Sequence, residues 1–376
     1  MRVALVHDYL NQYGGAERVL EVFHELYPNA PVYTSLYEPT AMPAHFRGWD
    51  IRTSFMQRIP LARAHHRHAL LLYPLAFESF DLSSYDVVIS NSSAWCKGVK
   101  TPPGTMHLSY CLTPMRFAWN LDAYVDRERL GRSARTILPT LMHGLRRWDV
   151  ANSRRVDRFV GISRVVVERI RQCYGRDADL LMPPVDVESI PLSREVGDEY
   201  LVVSRLIPYK RIDLAIEACN RLGAPLCVVG DGRDRASLEA LAGPSVRFAG
   251  FVADQEARAY RATCRAFLFP GEEDFGIAPV EAMAAGRPVI AFAGGGALDT
   301  VVDGETGALF SPQSADALAA TLAAFDPTRF DPERIRAHAL GFATSTFKKR
   351  FADLVDDAYR AHRASVRFAQ TERAPV

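Results

Sequence analysis

The chain has 376 residues, which is enough for two domains at roughly 150 residues each. Hydrophobic residues make up 48% and charged residues 24%, values of an ordinary globular protein that exclude wholesale disorder. The formal net charge is +1, but residues 1–182 carry 23 Lys and Arg against 17 Asp and Glu, whereas residues 183–376 carry 22 against 27.

No segment has the pattern of a membrane anchor or a leader. The longest apolar stretch, Ala69–Phe77, has nine residues and contains Pro74, so it is too short to span a bilayer. The apolar run after Met1 ends at His7 and Asp8, so we do not expect a signal peptide. The six cysteines form no CxxC pair, which favours a reducing compartment over a disulfide framework. These features predict a cytoplasmic protein.

Short apolar segments alternate with helix-length segments such as Ile212–Leu222 and Ala253–Ala262. This alternation predicts an α/β fold of two Rossmann-like domains, each with a parallel sheet covered by helices on both faces. In the first half, the predicted strands are Arg2–Val6, Asp86–Ser90, His107–Cys111 and Asp157–Ile162. In the second half, they are Tyr200–Ser204, Leu226–Gly230, Val246–Ala249, Ala266–Phe269 and Val289–Phe292.

The two adjacent prolines Pro183 and Pro184 mark the predicted domain boundary, because prolines stiffen the chain and remove hydrogen-bond donors. We therefore expect one domain at 1–182 and a second at 186–344. The tail, about 345–376, is predicted to be an amphipathic helix that packs back on the first domain. Its apolar residues recur at helical spacing: Phe347, Phe351, Leu354 and Tyr359.

Two basic segments of the first half admit two interpretations each. Residues 127–176 hold 13 Arg and four acidic residues, which is typical either of a solvated helix face or of a surface for an anionic membrane or a phosphate-bearing partner. Residues 55–77 mix aliphatic side chains with Arg and His. They fit an interfacial segment that meets a lipid-linked acceptor, or an exposed helix over a core.

Gly14 and Gly15 follow the first predicted strand and open a helix. Backbone without side chains can approach a ligand closely, and a helix N-terminus attracts anions. The pattern is not GxGxxG, so a dinucleotide cofactor is unsupported. A plain turn is the alternative interpretation.

Arg205 and Lys210 flank a proline-containing loop directly after the strand Tyr200–Ser204. Ligands of open α/β sheets bind at the carboxyl ends of the strands, so these cations are placed to neutralise a diphosphate. A solvated loop is the alternative.

Glu273 and Glu281 are the carboxylates of a strand–loop–helix unit that follows Ala266–Phe269. Carboxylates in such a crevice can accept hydrogen bonds from sugar hydroxyls, while the N–H groups of Gly276 and Ile277 can face phosphate. Gly294-Gly295-Gly296 follows the next strand and is expected to approach the same crevice.

The sequence favours neither a metal site nor a catalytic triad. The acidic run Glu272–Asp274 contains no Asp-x-Asp, no Cys/His set stands at ligand spacing, and His65, His66 and His68 suit a surface better than zinc. No Gly-x-Ser-x-Gly elbow is present. We expect no metal site.

Together these segments resemble the family 4 retaining glycosyltransferases of the GT-B fold over nearly the whole chain, with two domains facing a central cleft. The resemblance is nearest to bacterial GDP-mannose-dependent mannosyltransferases of polysaccharide and O-antigen assembly. The motifs are HDYLNQYGGAERVL (7–20), TPMRFAW (113–119), SRLIPYKRIDLAIEA (204–218), VVGDG (228–232) and PGEEDFGIAPVEAMAAGRPVIA (270–291).

The resemblance implies roles for individual residues. Arg205 and Lys210 are expected to bind the donor diphosphate and stabilise the leaving group. Glu273 is expected to hold hydroxyls of the transferred sugar, and Glu281 the ribose. With Arg205, Lys210 and Glu273 as catalytic residues, the remaining expected donor-site residues are Gly14, Gly15, Gly230, Phe251, Phe275, Gly276 and Ile277.

The implied activity is transfer of a sugar, mannose from GDP-mannose, to a saccharide or polyprenyl-diphosphate-linked acceptor. No metal cofactor and no nucleic acid are expected, and the enzyme is placed in the cytoplasm, at the inner face of the plasma membrane. The sequence departs from the family at Leu112, where a histidine is usual; Asp8 and His107 are nearby polar residues. The alternatives are therefore a UDP-sugar donor or an inactive nucleotide-sugar-binding protein.

Overall fold

The computed structural model describes residues 1–64, 69–119 and 132–371, and it divides into two compact units. The first unit contains Met1–Met182 and the chain from Lys348 onward, and the second is Pro183–Phe347. Within the second unit, Val185 forms a parallel bridge with Ala343, so the segment that enters this unit lies beside the segment that leaves it.

A parallel sheet forms the centre of the first unit. Its order, over seven strands in the described residues, is β3-β2-β1-β4-β5-β6-β7. The central strands β1, β4 and β5 are buried along their whole length, as expected where helices cover both faces. The strands are β1 (Val3–His7), β2 (Val32–Thr34), β3 (Ile51–Thr53), β4 (Val87–Ser92), β5 (Met106–Cys111), β6 (Arg158–Gly161) and β7 (Ala178–Leu180).

From Lys348 onward, the last helix of the chain belongs to the first unit. The Phe351 ring stacks on Phe23 with the ring centroids 4.4 Å apart, and Lys348 Nζ lies 2.6 Å from a carboxylate oxygen of Glu25. Residues 372–376 of the predicted tail lie outside the described residues. The helices of this unit are α1 (Gly15–Leu26), α2 (Pro60–Ala64), α3 (Leu72–Glu78), α4 (Arg116–Trp119), α5 (Arg132–Ser153), α6 (Arg164–Tyr174) and α14 (Thr344–Thr371).

The second unit repeats the same architecture. Its described strands form a parallel sheet of six in the order β10-β9-β8-β11-β12-β13. They are β8 (Tyr200–Val203), β9 (Leu226–Val229), β10 (Val246–Gly250), β11 (Ala266–Phe269), β12 (Val289–Phe292) and β13 (Gly307–Phe310). The helices are α7 (Ile212–Leu222), α8 (Arg235–Leu241), α9 (Asp254–Thr263), α10 (Ile277–Ala284), α11 (Ala297–Thr300), α12 (Ala315–Ala324) and α13 (Pro332–Ala339).

The predicted fold class is confirmed: both sheets are parallel, doubly wound and Rossmann-like. The predicted strands occur with bounds shifted by one or two residues at most, and the strands that the sequence did not predict are short, namely β2, β3, β7 and β13. In both sheets the strand order reverses beside the first strand, between β1 and β4 and between β8 and β11. Such a switch point leaves a crevice at the carboxyl edge, where α/β sheets bind ligands.

A buried ion pair stabilises the first unit. Lys97 Nζ binds Asp149, and both side chains are buried. The other carboxylate oxygen of Asp149 accepts hydrogen bonds from Trp119 Nε1 at 2.7 Å and from the Tyr174 hydroxyl at 2.9 Å. A carboxylate this deep in the protein depends on such partners, because its desolvation is otherwise uncompensated.

We expect Lys97→Met to lower the free energy of unfolding by about 3–5 kcal/mol, because it leaves the buried Asp149 charge without its cation. Lys100→Met is the matched control. Lys100 pairs with Glu78 at 2.8 Å but is more than half exposed, and the loss of an exposed pair costs about 1 kcal/mol or less. Urea unfolding of the two variants measures the difference, and equal losses would contradict this account.

Candidate functional site

The loop after β8 carries the two predicted cations. Pro208–Lys210 forms a short 3-10 turn, and α7 begins just after it. Lys210 Nζ makes an ion pair with Glu273 Oε1, and the two side chains are only 15% and 19% exposed. The Lys210 ammonium also lies 5.3 Å from the centroid of the Tyr209 ring. Two predicted site residues, 63 positions apart in the chain, are thus brought into direct contact.

Gly271 explains how the loop after β11 comes so close to Lys210. A Cβ atom at position 271 would lie 2.8 Å from the carbonyl oxygen of Lys210 and 2.9 Å from its Cα, closer than real side chains approach. Only glycine allows this contact without a backbone shift. The close approach places Glu273, two residues later, within reach of the Lys210 ammonium.

The triple glycine after β12 supports the same loop from the other side. The N–H group of Gly296 donates to the carbonyl oxygen of Glu273 at 2.8 Å. A Cβ atom at position 296 would lie 2.3 Å from the Cα of Phe275. The predicted approach of Gly294-Gly295-Gly296 to the crevice is therefore an approach to the backbone that carries Glu273 and Phe275.

Helix α10 starts at this loop, with Gly276 as its N-cap and Ile277 as its first residue. No side chain of the described residues caps this end, so its first N–H groups point out of the helix with partial positive charge. Phe275 is buried, with its ring centroid 5.8 Å from that of Phe342. The side chain of Phe275 therefore anchors the loop, and its backbone forms the anion-attracting end.

Glu281 lies one turn into α10 and is bound by a cation that the sequence analysis missed. Arg261 Nη2, from α9, lies 2.8 Å from Glu281 Oε2, and the two side chains are 7% and 12% exposed. The available sequence signal was weak: Arg261 follows the buried Ala257 by four residues, which puts it on the inner side of the helix.

The loops after β8, β9 and β10 are bonded to one another. The Gly230 N–H donates to the Gly250 carbonyl at 2.7 Å, and the Leu206 N–H donates to the Asp231 carbonyl at 2.9 Å. Phe251 follows with 84% of its surface exposed. An aromatic ring in this position can stack on a planar base.

Arg205 is an exposed cation in the loop after β8. Within the described ranges, its guanidinium makes no hydrogen bond or ion pair, whereas Lys210 is bound to Glu273. The loop after β8 therefore carries one exposed cation, Arg205, and one cation held by a carboxylate, Lys210.

Gly14 and Gly15 lie in the first unit, at the start of α1. The helix is fixed there by buried polar contacts. His7 Nε2 lies 3.3 Å from Glu17 Oε1, and the Asn91 amide donates to the carbonyl of Ala16 at 2.8 Å. Since the other predicted site residues belong to the second unit, the joining of Gly14 and Gly15 to them stays a prediction.

The polar residues near Leu112 have structural roles. The Asp8 carboxylate accepts hydrogen bonds from the backbone N–H groups of residues 93–96, at 2.7–2.9 Å. His107 is fully buried, with Nε2 2.9 Å from Ser90 Oγ, and burial lowers its pKa to about 3. His107 is therefore neutral at physiological pH, and neither residue takes the place of the histidine that is usual at Leu112.

The described ranges contain no group of three or more His, Cys, Asp and Glu side chains that could hold a metal ion. The three histidines at 65, 66 and 68 lie outside these ranges. None of the described helices has the length and apolar character needed to cross a membrane.

A groove of about 430 Å³ lies on the first unit beside α5. Its lining combines apolar residues with His143 and three arginines, of which Arg147 and Arg154 are exposed. Arg155, by contrast, pairs with Glu78 at 3.2 Å and lies outside the groove. The lining residues are Trp119, His143, Arg146, Arg147, Val150, Ala151 and Arg154.

Comparison with known proteins places these features in a family. The family model "Glycosyl transferases group 1" matches residues 188–334. The chain is similar to a GDP-mannose-dependent alpha-(1-6)-phosphatidylinositol monomannoside mannosyltransferase of Mycolicibacterium smegmatis, with 32% identity over 55% of this chain and 60% of the relative. The Mycobacterium tuberculosis enzyme of the same name is 31% identical over 59% of this chain and 67% of its own length.

A glycogen synthase of Xanthomonas campestris is also similar, with 29% identity over 52% of this chain and 41% of the relative. Among solved structures, Anabaena HepE in complex with UDP has the same fold, with a TM-score of 0.70, 18% identity, and coverage of 95% of this chain and 100% of HepE. The fold, the family model and the two mycobacterial relatives all indicate a glycosyltransferase. The chain belongs to the glycosyl transferases group 1 family.

Proposed function

We propose that this protein is a retaining glycosyltransferase that transfers mannose from GDP-mannose to a lipid-linked or saccharide acceptor in bacterial surface polysaccharide synthesis. The observation that carries the proposal is the Lys210–Glu273 pair at the carboxyl edge of the second sheet, next to the uncapped start of α10. The names of the mycobacterial relatives support GDP-mannose as the donor. Anomeric retention rests on the resemblance to family 4.

Control of the leaving group is the proposed chemistry. Breaking the bond between the anomeric carbon and the phosphate oxygen places positive charge on the sugar and negative charge on the diphosphate. Arg205 and Lys210 stabilise the departing diphosphate, assisted by the N–H groups at Gly276 and Ile277. Preorganised charges of this kind contribute a few kcal/mol each to lowering a barrier. We propose that no metal ion is required.

The carboxylates orient the donor in this proposal. Glu273 accepts hydrogen bonds from hydroxyls of the transferred sugar, and its pairing with Lys210 offsets the repulsion between the acidic loop and the diphosphate. Glu281 binds the ribose, and Phe251 and Gly230 border the base. Gly14 and Gly15 of the first unit approach the phosphates and the acceptor.

The second candidate is a nucleotide-sugar-binding protein without transferase activity, and Leu112 favours it. Leu112 follows β5 and offers an aliphatic side chain where the family usually has an imidazole. A turnover measurement separates the candidates, because an inactive protein binds the donor and does not cleave it.

We expect Lys210→Ala to lower GDP release from GDP-mannose at least about tenfold, because the leaving group loses a preorganised cation. Wild-type release should persist in EDTA. Lys100→Ala, in the first unit, is the control and should keep full activity. Activity that EDTA abolishes and Mg²⁺ restores would overturn the metal-free proposal, and an unchanged Lys210→Ala rate would overturn the role of Lys210.

The first unit is proposed to meet an acceptor at the inner face of the plasma membrane. Apolar side chains are unusually exposed there: Leu61, Leu71 and Leu75 are 71%, 62% and 61% exposed. Leu71 and Leu75 are four residues apart at α3 and so lie on one side of it. Exposed leucines together with the exposed Arg147 and Arg154 fit an interface that combines apolar insertion with attraction to anionic lipid.

We expect the protein to float with vesicles that contain phosphatidylglycerol, and less so as salt rises, because salt screens the arginines. Arg147→Glu with Arg154→Glu should weaken flotation at low salt, and Leu71→Ser with Leu75→Ser at every salt concentration. Both double variants should bind GDP as the wild type does. A wild type that stays unbound at low salt would contradict the membrane interface and favour a soluble acceptor.

A further inference from the structure

Arg261 is a buried cation that the roles above do not use. Its Nη2 binds Glu281 Oε2 at 2.8 Å, and its side chain is 7% exposed. Its Nε and Nη1 atoms are buried and have no hydrogen-bond partner in the part of the chain that the structure describes. Unsatisfied buried donors cost free energy. Among the described residues, this guanidinium is thus bound by the carboxylate that is proposed to bind ribose.

We infer that Arg261 is a positioning residue for the nucleotide ribose, acting through Glu281; this rests on the proposed function. A carboxylate has about four lone-pair sites, so Glu281 can bind Arg261 through Oε2 and still accept hydrogen bonds from ribose hydroxyls. The planar guanidinium fixes the carboxylate in one orientation, which an ammonium does less well.

The ion pair between Arg261 and Glu281 also connects two helices. Helix α9, which carries Arg261, follows the loop with the exposed Phe251, and α10 carries Glu281. The ion pair therefore connects the helix after the proposed base-binding loop with the helix that holds the ribose carboxylate. Because Arg261 is buried, it acts on the ribose through Glu281 and not by touching the ligand.

Titration calorimetry of the full chain with GDP and with 2′,3′-dideoxy-GDP tests this inference, with UDP and dideoxy-UDP in parallel. We expect Arg261→Met to weaken binding of the ribonucleotide at least about tenfold, because Glu281 loses the group that orients it. Arg261→Lys should fall between Arg261→Met and the wild type. Binding of the dideoxy nucleotides, which lack the hydroxyls, should change less than about twofold in either variant.

Arg258→Met is the matched control, because Arg258 lies in the same helix, is about one-third exposed and pairs with Asp254 at 3.1 Å. Thermal unfolding identifies any variant that fails to fold. If Arg261→Met fails to fold, the comparison of the ribonucleotides with the dideoxy nucleotides is made with Arg261→Lys. Equal losses for GDP and dideoxy-GDP, or unchanged GDP binding in the variants, overturn the role of Arg261. A wild type that binds none of the four nucleotides overturns the proposed function, and the inference with it.

Discussion

The ion pair between Lys210 and Glu273 is the contact on which the candidate site depends. Both side chains are more than four-fifths covered by the protein. Each charge is therefore stabilised by the other in the unliganded protein. The pair holds the loop after β8 against the loop after β11, on either side of the switch point of the second sheet. A diphosphate bound there would compete with Glu273 for the ammonium. The site therefore includes a cation that is already positioned before the ligand arrives.

Backbone packing makes this contact available. Glycine at 271 and 296 lets three loops lie against one another at distances that side chains would forbid. Parallel strands all end at the same edge of their sheet, so residues far apart in sequence meet there. Arg261 and Glu281 form a second ion pair of this kind, one turn into α10. In both cases a carboxylate that is proposed to bind hydroxyls is accompanied by a cation from a neighbouring element.

The sequence predicted the parallel sheets because most of their strands are continuous apolar runs between turns. It did not predict β2, which has three residues, too few for a pattern to emerge, or β13, whose two middle residues are only partly buried. Lys210 and Glu273 were predicted separately, from strand ends and a family resemblance, but their pairing depends on the close approach at Gly271. Arg261 was missed because its spacing of four residues from Ala257 is only a weak sign of burial in a helix that is otherwise mostly polar. Likewise, the number of arginines in 127–176 does not reveal which of them form ion pairs: Arg155 pairs with Glu78, whereas Arg147 and Arg154 line the groove beside α5.

The proposed site requires that a nucleoside diphosphate binds at the carboxyl edge of the second sheet. Hydrogen exchange of the full chain in EDTA, with and without GDP or UDP, measures this binding segment by segment. We expect slower exchange of the amides in 204–211 and 271–278 with at least one nucleotide, because the ligand covers these loops and the start of α10. Exchange in these segments that neither nucleotide slows, with protection elsewhere or nowhere, would contradict it.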